Sequence, residues 1–459
     1  MQFRSKLLSA WMQKRPKSIS ATKDIAIAFA VIILTGGLLL ALPMSSRSGE
    51  SCGFIPGLFT ACSATCVTGL VLFDTWTQWT GFGQGVILGL IEIGGLGFMS
   101  AATLVIFFLH KKIGLKQRIV MAQALSLNDL NGVVRLQKLV LVGALSIEGI
   151  GALILFLHFL PEMGFLTALW WGVFHSISAF CNAGFDIFGR LNPGASLMEF
   201  QSDPVVMLTL ASLIVVGGLG FLVWQDVVTR KRFKLFGVYT KLVLITTASL
   251  IVSGWVLTCV LEWNNPGTLG PMSVGDKLLN GLFQSITLRT CGFAAIDEGK
   301  MTEATKAISM VLMLIGGSSG STAGGIKTVS FVVLLLFIST RARGRETVCA
   351  FKRTIPQSQV LDAMTIALIM TMLAIAGGVF ISATCPVTFT DAMFETCSAL
   401  GTVGLTAGAT GVLNVPSQIL IILYMYFGRV GVLTISLGFL MGNRAEERFQ
   451  YASTNLLIG

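Results

Sequence analysis

The sequence predicts an all-α integral membrane fold: four tandem helix–pore loop–helix repeats, giving eight transmembrane helices and four re-entrant pore segments around a pseudo-fourfold axis. Three observations predict it. The 459-residue chain is 54% hydrophobic and only 12% charged, with a mean hydropathy of +0.80, whereas soluble domains carry about 25% charged residues. Long apolar runs alternate with basic loops. Four short stretches between those runs are versions of one another.

Runs of about 20 apolar residues span a bilayer. Eight are expected, near 24–44, 83–109, 137–160, 204–228, 241–262, 308–338, 361–384 and 417–441. Most of the 32 Lys and Arg gather before the first run and after every second one. Arg4 to Lys23 lead in, and Lys111 to Lys138, Arg230 to Lys241, Arg341 to Arg353, and Arg444 with Arg448 follow. By the positive-inside rule those loops and both termini are cytoplasmic. The net charge of +10 is therefore a topology signal, and nucleic acid is not expected as a partner. The first apolar run reads as a retained helix, longer than a signal-peptide core. The basic loops divide the chain into repeats at 1–119, 120–236, 237–350 and 351–459, all with one orientation.

The repeated stretches are Phe59–Leu70 (FTACSATCVTGL), Phe174–Phe185 (FHSISAFCNAGF), Phe283–Phe293 (FQSITLRTCGF) and Phe394–Leu405 (FETCSALGTVGL). The third is one residue shorter between its Phe and its Gly. Each is too short to cross a bilayer. Non-helical backbone at membrane depth is tolerated only when it is buried in protein or lines a watery cavity. Each therefore reads as a short helix dipping in from outside, followed by a glycine turn and a returning strand. Four helix C-termini aimed at one axis favour a cation, and carbonyls on the returning strands replace its hydration shell.

In combination with GQGVILGLIEIGGLGFM, GGSSGSTAGGIKT and YFGRVG, these stretches resemble the Trk/Ktr/HKT superfamily of potassium transporters, most closely a KtrB-type membrane subunit. The resemblance runs from the first span to Gly442. It implies a selectivity filter of Thr65, Cys66, Val67, Thr68 and Gly69; Cys181, Asn182, Ala183 and Gly184; Arg289, Thr290, Cys291 and Gly292; and Gly401, Thr402, Val403 and Gly404. K⁺ would be held by backbone carbonyls at Gly69, Gly184, Gly292 and Gly404. Cys66, Cys181 and Cys291 depart from the Thr, Asn or Ala expected beside the filter. The resemblance further implies uptake of K⁺ across a bacterial plasma membrane, with Na⁺ as a candidate activator. It implies a homodimer working with a cytosolic KtrA-type nucleotide-binding ring. Any nucleotide would enter through that ring, since this chain has no G-x-G-x-x-G in a βαβ context.

The run Gly316, Gly317, Ser318, Ser319, Gly320, Ser321, Thr322, Ala323, Gly324 and Gly325 interrupts the sixth span, with Lys327 after it. Such a run breaks a transmembrane helix, and a gate below the filter is expected, against a small-residue helix contact. Ile326 before Lys327 and Thr328 spoils a Walker A match. Arg429 lies deep in the last span, where arginine faces the bundle interior; it is expected to donate to the 316–328 loop and to place a positive barrier beneath the filter. Glu92 and Glu148 are candidates for helix pairing. Glu395 and His175 open pore segments, in capping or packing roles. Asp74, Asp186 and Asp297 follow three filters, and carboxylates at an outer mouth concentrate cations. Cys52 and Cys385 fall on the outer side, with a disulfide as one reading. Two alternatives remain: a Na⁺-selective or non-selective cation channel, and an intramembrane serine hydrolase built on Ser319 in Gly317-Ser318-Ser319-Gly320, which needs a histidine base.

Overall fold

The computed structural model describes residues 18–97 and 133–431. Repeat 1 holds α1 (Ser18–Leu40), α2 (Phe54–Thr65) and α3 (Gly81–Leu96). Repeat 2 holds α4 (Val133–Met163), α5 (Phe165–Phe180), α6 (Pro204–Leu219) and α7 (Phe221–Arg230). Repeat 3 holds α8 (Val238–Glu262), α9 (Val274–Thr287), α10 (Glu303–Leu314) and α11 (Thr328–Ala342). After the short hairpin of β1 (Cys349–Ala350) and β2 (Arg353–Thr354), repeat 4 holds α12 (Gln357–Thr384), α13 (Phe389–Gly401) and α14 (Val415–Val430).

Each repeat has the same plan. A long outer helix (α1, α4, α8 or α12) packs on the short pore helix after it (α2, α5, α9 or α13). The outer helices show apolar side chains to the surroundings: Ile150 is 60% and Leu368 60% exposed, as expected of faces that meet lipid rather than water. The C-terminal parts of the pore helices are buried, each anchored by the phenylalanine that opens its motif: Phe59, Phe174, Phe283 and Phe394. Ser273 and Thr388 cap α9 and α13 through their side chains, accepting orphan N–H groups at the helix start.

The second helix of each repeat closes the ring. α3 packs on pore helix α5 of repeat 2, α6 on α9 of repeat 3, α10 on α13 of repeat 4, and α14 back on α2 of repeat 1. The last contact makes the arrangement cyclic. An ion pair adds to the third seam, Lys306 Nζ lying 2.8 Å from Asp391 Oδ1.

The second helices differ from the expected straight spans. α6 and α7 meet at a 92° bend. Gly220 sits at the bend with φ 90°, and Gly97 and Gly431 end α3 and α14 with φ 82° and 92°. These φ values belong to glycine. The sequence GGLGF occurs both at 94–98 and at 217–221, and its last glycine has positive φ in both, at Gly97 and at Gly220. In repeat 3 the break is the whole 315–327 segment. The expected spans 83–109 and 417–441 run past Gly97 and Gly431 into residues outside those described, as does the 119/120 repeat boundary. Cys52 and Cys385 are free thiols, which removes the disulfide. Cys385 Sγ instead contacts Ser417 Oγ at 3.5 Å, and Cys52 Sγ faces the Leu40 carbonyl at 3.7 Å.

Candidate functional site

The four pore helices deliver four short strands to one place. Their construction repeats residue by residue. The residue four after each motif Phe is Ser63, Ser178, Thr287 or Ser398, all buried. In repeats 1, 2 and 4 its carbonyl accepts from the amide five residues on: Thr68 at 2.8 Å, Ala183 at 2.7 Å and Val403 at 2.8 Å. In repeat 3 Cys291 N donates to Thr287 O, four residues back, at 3.0 Å. The missing residue of the third motif is thus absorbed in this turn.

The same hydroxyls pin the returning strands. Ser63 Oγ accepts from Gly69 N and Ser398 Oγ from Gly404 N, both at 3.0 Å. Ser178 Oγ donates to Phe185 O at 2.6 Å and Thr287 Oγ1 to Phe293 O at 2.8 Å. The Phe-x₃-[Ser/Thr] spacing was present in all four motifs and could have been read from the sequence.

The backbone then takes an unusual course. Val67, Asn182, Thr290 and Thr402, each two residues before a motif glycine, have φ of 56°, 60°, 68° and 51°, and Gly69, Gly184, Gly292 and Gly404 follow at 96°, 67°, 94° and 96°. Positive φ at a β-branched residue is a genuine outlier, and such strain gathers at functional sites. Positive φ recurs in every repeat, at a β-branched residue in repeats 1, 3 and 4 and at Asn182, a residue type more tolerant of it, in repeat 2.

The glycines form a ring. A Cβ added to Gly69 would lie closer than 3.0 Å to the carbonyl oxygen of Ala183; one on Gly184 would meet Cys291 O, one on Gly292 would meet Val403 O, and one on Gly404 would meet Thr68 O. Each glycine thus abuts the carbonyl just before the next one, in cyclic order. All four line one cavity of about 350 Å³, together with Asp74, Asp186 and Asp297. The arrangement is a narrow throat of backbone oxygen at the floor of an acidic bowl.

The bowl carboxylates also hold its walls. Asp74 Oδ1 accepts from Thr77 N at 2.8 Å and Oδ2 from Gly194 N at 3.2 Å. Asp186 Oδ1 accepts from Phe188 N at 3.1 Å. Burial pushes the Asp186 carboxyl up to about 6, with Ser196 opposing and the Asp74 charge adding. Asp297 pairs with Lys300 at 3.0 Å. His175 and Glu395 prove to be tethers for the post-filter segments: His175 Nε2 accepts from Ile187 N at 3.1 Å, and Glu395 accepts from Thr406 Oγ1 at 2.8 Å and from Thr410 Oγ1.

The three unexplained cysteines are all buried. Cys66 Sγ lies 3.8 Å from Cys62 Sγ. Cys181 Sγ points behind its strand, 3.7 Å from Glu92 Oε2 and 3.9 Å from Glu148 Oε1. Glu92 and Glu148 therefore meet each other and Cys181, joining α3, α4 and the end of α5. Cys291 contributes the carbonyl that Gly184 abuts. Arg289, expected at the filter, directs its guanidinium elsewhere, with long contacts to Gly316 O at 3.5 Å and Thr328 Oγ1 at 3.3 Å.

Beneath the throat lies the 316–328 segment, held at both ends and in the middle. Gly316 N donates to Ile326 O at 2.9 Å, and Thr328 N to Gly317 O at 3.0 Å, closing the loop at its base. The bend after α6 receives it: Ser318 N donates to Gly218 O at 3.1 Å, and Phe221 N to Gly320 O at 2.9 Å. Its tip touches the strands above. Thr322 Oγ1 is 3.1 Å from Asn182 Oδ1, and a Cβ on Gly324 would strike Thr402 Oγ1. Arg429 donates through Nη1 to Thr322 O and through Nη2 to Gly94 O and, at 3.1 Å, to Gly95 O. Lys327 Nζ turns back onto Ala323 O at 2.8 Å.

No Ser–His pair supports hydrolysis among the described residues. The Ser319 carbonyl accepts from Tyr239 Oη at 2.8 Å. His175 stacks on Phe188 with ring centroids 3.8 Å apart, and His158 pairs with Asp203 at 2.6 Å. His110 lies outside the described residues.

Comparison with known proteins agrees with this architecture. Residues 5–448 match the TrkH model, described as a cation transport protein. The chain is 41% identical over 454 residues to the potassium/sodium uptake protein NtpJ of Enterococcus hirae, covering 98% of this chain and 99% of that one. It is 40% identical over 439 residues to the Ktr system potassium uptake protein B of Bacillus subtilis, covering 96% of each. Among solved structures, the potassium transporter TrkH of Vibrio parahaemolyticus superposes with a TM-score of 0.73 at 17% identity, over 92% of this chain and 85% of that one. That likeness establishes the fold.

Proposed function

Because this chain belongs to the TrkH family of cation transport proteins, and is a transporter rather than an enzyme, we propose that it takes up K⁺ through the ring of glycine-backed carbonyls. The observation that carries this reading is the cyclic contact of Gly69, Gly184, Gly292 and Gly404 with the carbonyls of Ala183, Cys291, Val403 and Thr68. Carbonyl oxygens replace a cation's hydration shell, and no charged side chain is needed at the throat. The acidic bowl recruits cations from outside. The names of the similar proteins, which include potassium uptake and potassium/sodium uptake, support K⁺ as the cargo, with Na⁺ named beside it as cargo in one of them; Na⁺ as an activator rests on the resemblance alone.

The 316–328 segment is the gate in this reading. It fills the space under the throat, and it is fixed by Arg429 and by the bend at Gly220. A buried guanidinium on the axis is also an electrostatic barrier to a cation. Opening requires the segment to leave Asn182 and Arg429, and the force for that comes from a KtrA-type cytosolic ring docked on the basic loops. The chain works as a homodimer in the bacterial plasma membrane, with both termini inside, following the charge rule.

Expression in a bacterium stripped of its potassium uptake systems tests the cargo. Growth at low K⁺ is expected to return when the chain is produced with its cytosolic ring. Rubidium uptake into vesicles, with and without Na⁺, separates K⁺-selective from Na⁺-selective or non-selective flux. Failure of rescue with the ring present would sink the K⁺ reading.

A further inference from the structure

A second polar cavity lies at the other end of the molecule, where α11 meets the hairpin. It measures about 200 Å³ and is lined by Leu336, Ser339, Thr340, Arg343, Arg345 and Thr347, with Cys349 at its edge. No carboxylate lines it. Its walls are fixed by the local sequence. α11 ends in a Schellman turn: Gly344, at φ 66°, donates to Arg341 O at 2.9 Å, and Arg345 N to Thr340 O at 3.0 Å. This turn places Arg343 and Arg345 on either side of the glycine and closes carbonyls that would otherwise face the cavity. The hairpin alternates as a strand should. Val348 and Ala350 point inward and are 5% and 7% exposed, while Thr347 and Cys349 point out. Val348 packs with Val333, Val360 and Ala363, which locks the hairpin to α11 and α12.

The charge in this cavity is unspent. Arg341 covers the ring of Phe337 at 5.6 Å, but among the described residues Arg343 and Arg345 form no ion pair. The C-terminus of α11 carries about half a negative charge, which two full guanidinium charges outweigh. Guanidinium forks with hydroxyl donors match phosphate oxygen. The position decides the source. One to two turns back from Arg343 along α11, Leu335 and Ile338 are 50% and 62% exposed, so an apolar face suited to lipid runs beside the near end of the cavity, where Leu336 forms part of the lining.

We propose that this cavity binds the phosphate of an anionic membrane lipid at the cytoplasmic surface, with Arg343 and Arg345 as its charged ligands and Ser339 and Thr347 as hydroxyl donors. Basic pockets beside transmembrane helices on that face recognise anionic headgroups. A lipid there pins the hairpin that links repeats 3 and 4. The inference rests on the membrane placement of α11 and is independent of which ion the throat passes.

Cys349, exposed at the cavity edge, is the reporter. The full chain is placed in phosphatidylcholine vesicles, with or without phosphatidylglycerol, and alkylated with N-ethylmaleimide; the rate at Cys349 is read by peptide mass spectrometry. Phosphatidylglycerol is expected to slow alkylation of the natural chain severalfold. In the Arg343→Gln/Arg345→Gln variant the slowing should be lost, since removing two basic groups that each contribute about 1 kcal/mol near an anionic surface weakens lipid binding roughly thirtyfold. The variant's rate in phosphatidylcholine alone, matched to the natural chain, shows that the hairpin is still folded. An equal slowing in the variant overturns the site. Protection by inorganic phosphate in phosphatidylcholine vesicles overturns the lipid as ligand in favour of a free phosphate. Protection that appears only when the cytosolic ring is added assigns the surface to a protein and likewise overturns it.

Discussion

At the scale of single residues, the throat depends on what is missing from it. Gly404 has φ 96°, and an added Cβ would overlap Thr68 O. Gly404→Ser therefore meets two penalties: about 1–2 kcal/mol for a left-handed backbone at a non-glycine residue, and displacement of a carbonyl that would contact the ion. Rubidium uptake is expected to fall at least tenfold, with discrimination against Na⁺ reduced, while the protein still elutes as a folded species. Uptake at the natural level with unchanged selectivity would remove the carbonyl ring from the mechanism. Asp186 tests the bowl. Its carboxyl, raised to about 6 by burial, is charged above that pH and takes up a proton as pH falls through it. The bowl then loses one negative charge, and a charge of this kind contributes about 1 kcal/mol to a nearby cation in a watery mouth. The apparent KM for rubidium should rise a few-fold between pH 7 and pH 5. In Asp186→Asn the KM should be raised already at pH 7 and should stay flat; a slope that persists in this variant assigns the titration to another group.

At the scale of elements, the bend after α6 decides how the 316–328 segment is held. The bend at Gly220 turns α7 by 92° away from α6, and a Cβ on Gly220 would strike Ser318 Oγ. Gly220→Ala is thus expected to strain the bend by about 1–3 kcal/mol and to loosen the 316–328 segment above it. Rubidium flux without the cytosolic ring should rise severalfold. Flux that stays at the closed level, in a variant whose melting temperature has dropped, would show that the bend supports the fold without restraining the gate. The break between α10 and α11 was legible in sequence because GGSSGSTAGG interrupts an apolar run, and hydropathy registers the interruption. The bend at Gly220 was not, because the GGLGF around it is as apolar as a helix and hydropathy is blind to φ. Pore helices were legible from one local pattern repeated four times. Arg289 was assigned to the filter by its neighbours in sequence, but a long side chain reaches several ångströms from its backbone, and this one reaches Gly316 O at the start of the 316–328 segment. The meeting of Glu92, Glu148 and Cys181 brings three elements together and has no local signature.

At the scale of the whole molecule, the chain is a ring closed by side-chain and backbone contacts and not by covalent continuity. The seam between repeats 4 and 1 joins residues 334 to 400 positions apart: Tyr426 Oη donates to Ala26 O at 2.8 Å, Cys62 Sγ contacts Ile422 O at 3.4 Å, and Arg429 reaches Gly94 and Gly95. Each of the other seams repeats this helix-on-pore-helix contact. Membrane helices form individually and then associate through such packing, so an intact connection between repeats 2 and 3 is dispensable once both halves are inserted. That connection, around Lys231 to Gly237, is an exposed basic loop and makes no part of the throat. A chain divided there, with residues 1–233 and 234–459 produced together, is expected to restore growth at low K⁺ and to copurify as one complex. Either half alone supplies two of the four glycines and one side of each cut seam, so it should support no rubidium uptake. If one half transported by itself, two repeats would suffice for the pathway and the fourfold ring would be structural only; if the pair failed although both halves were inserted, the seams would be too weak to close the ring without the loop.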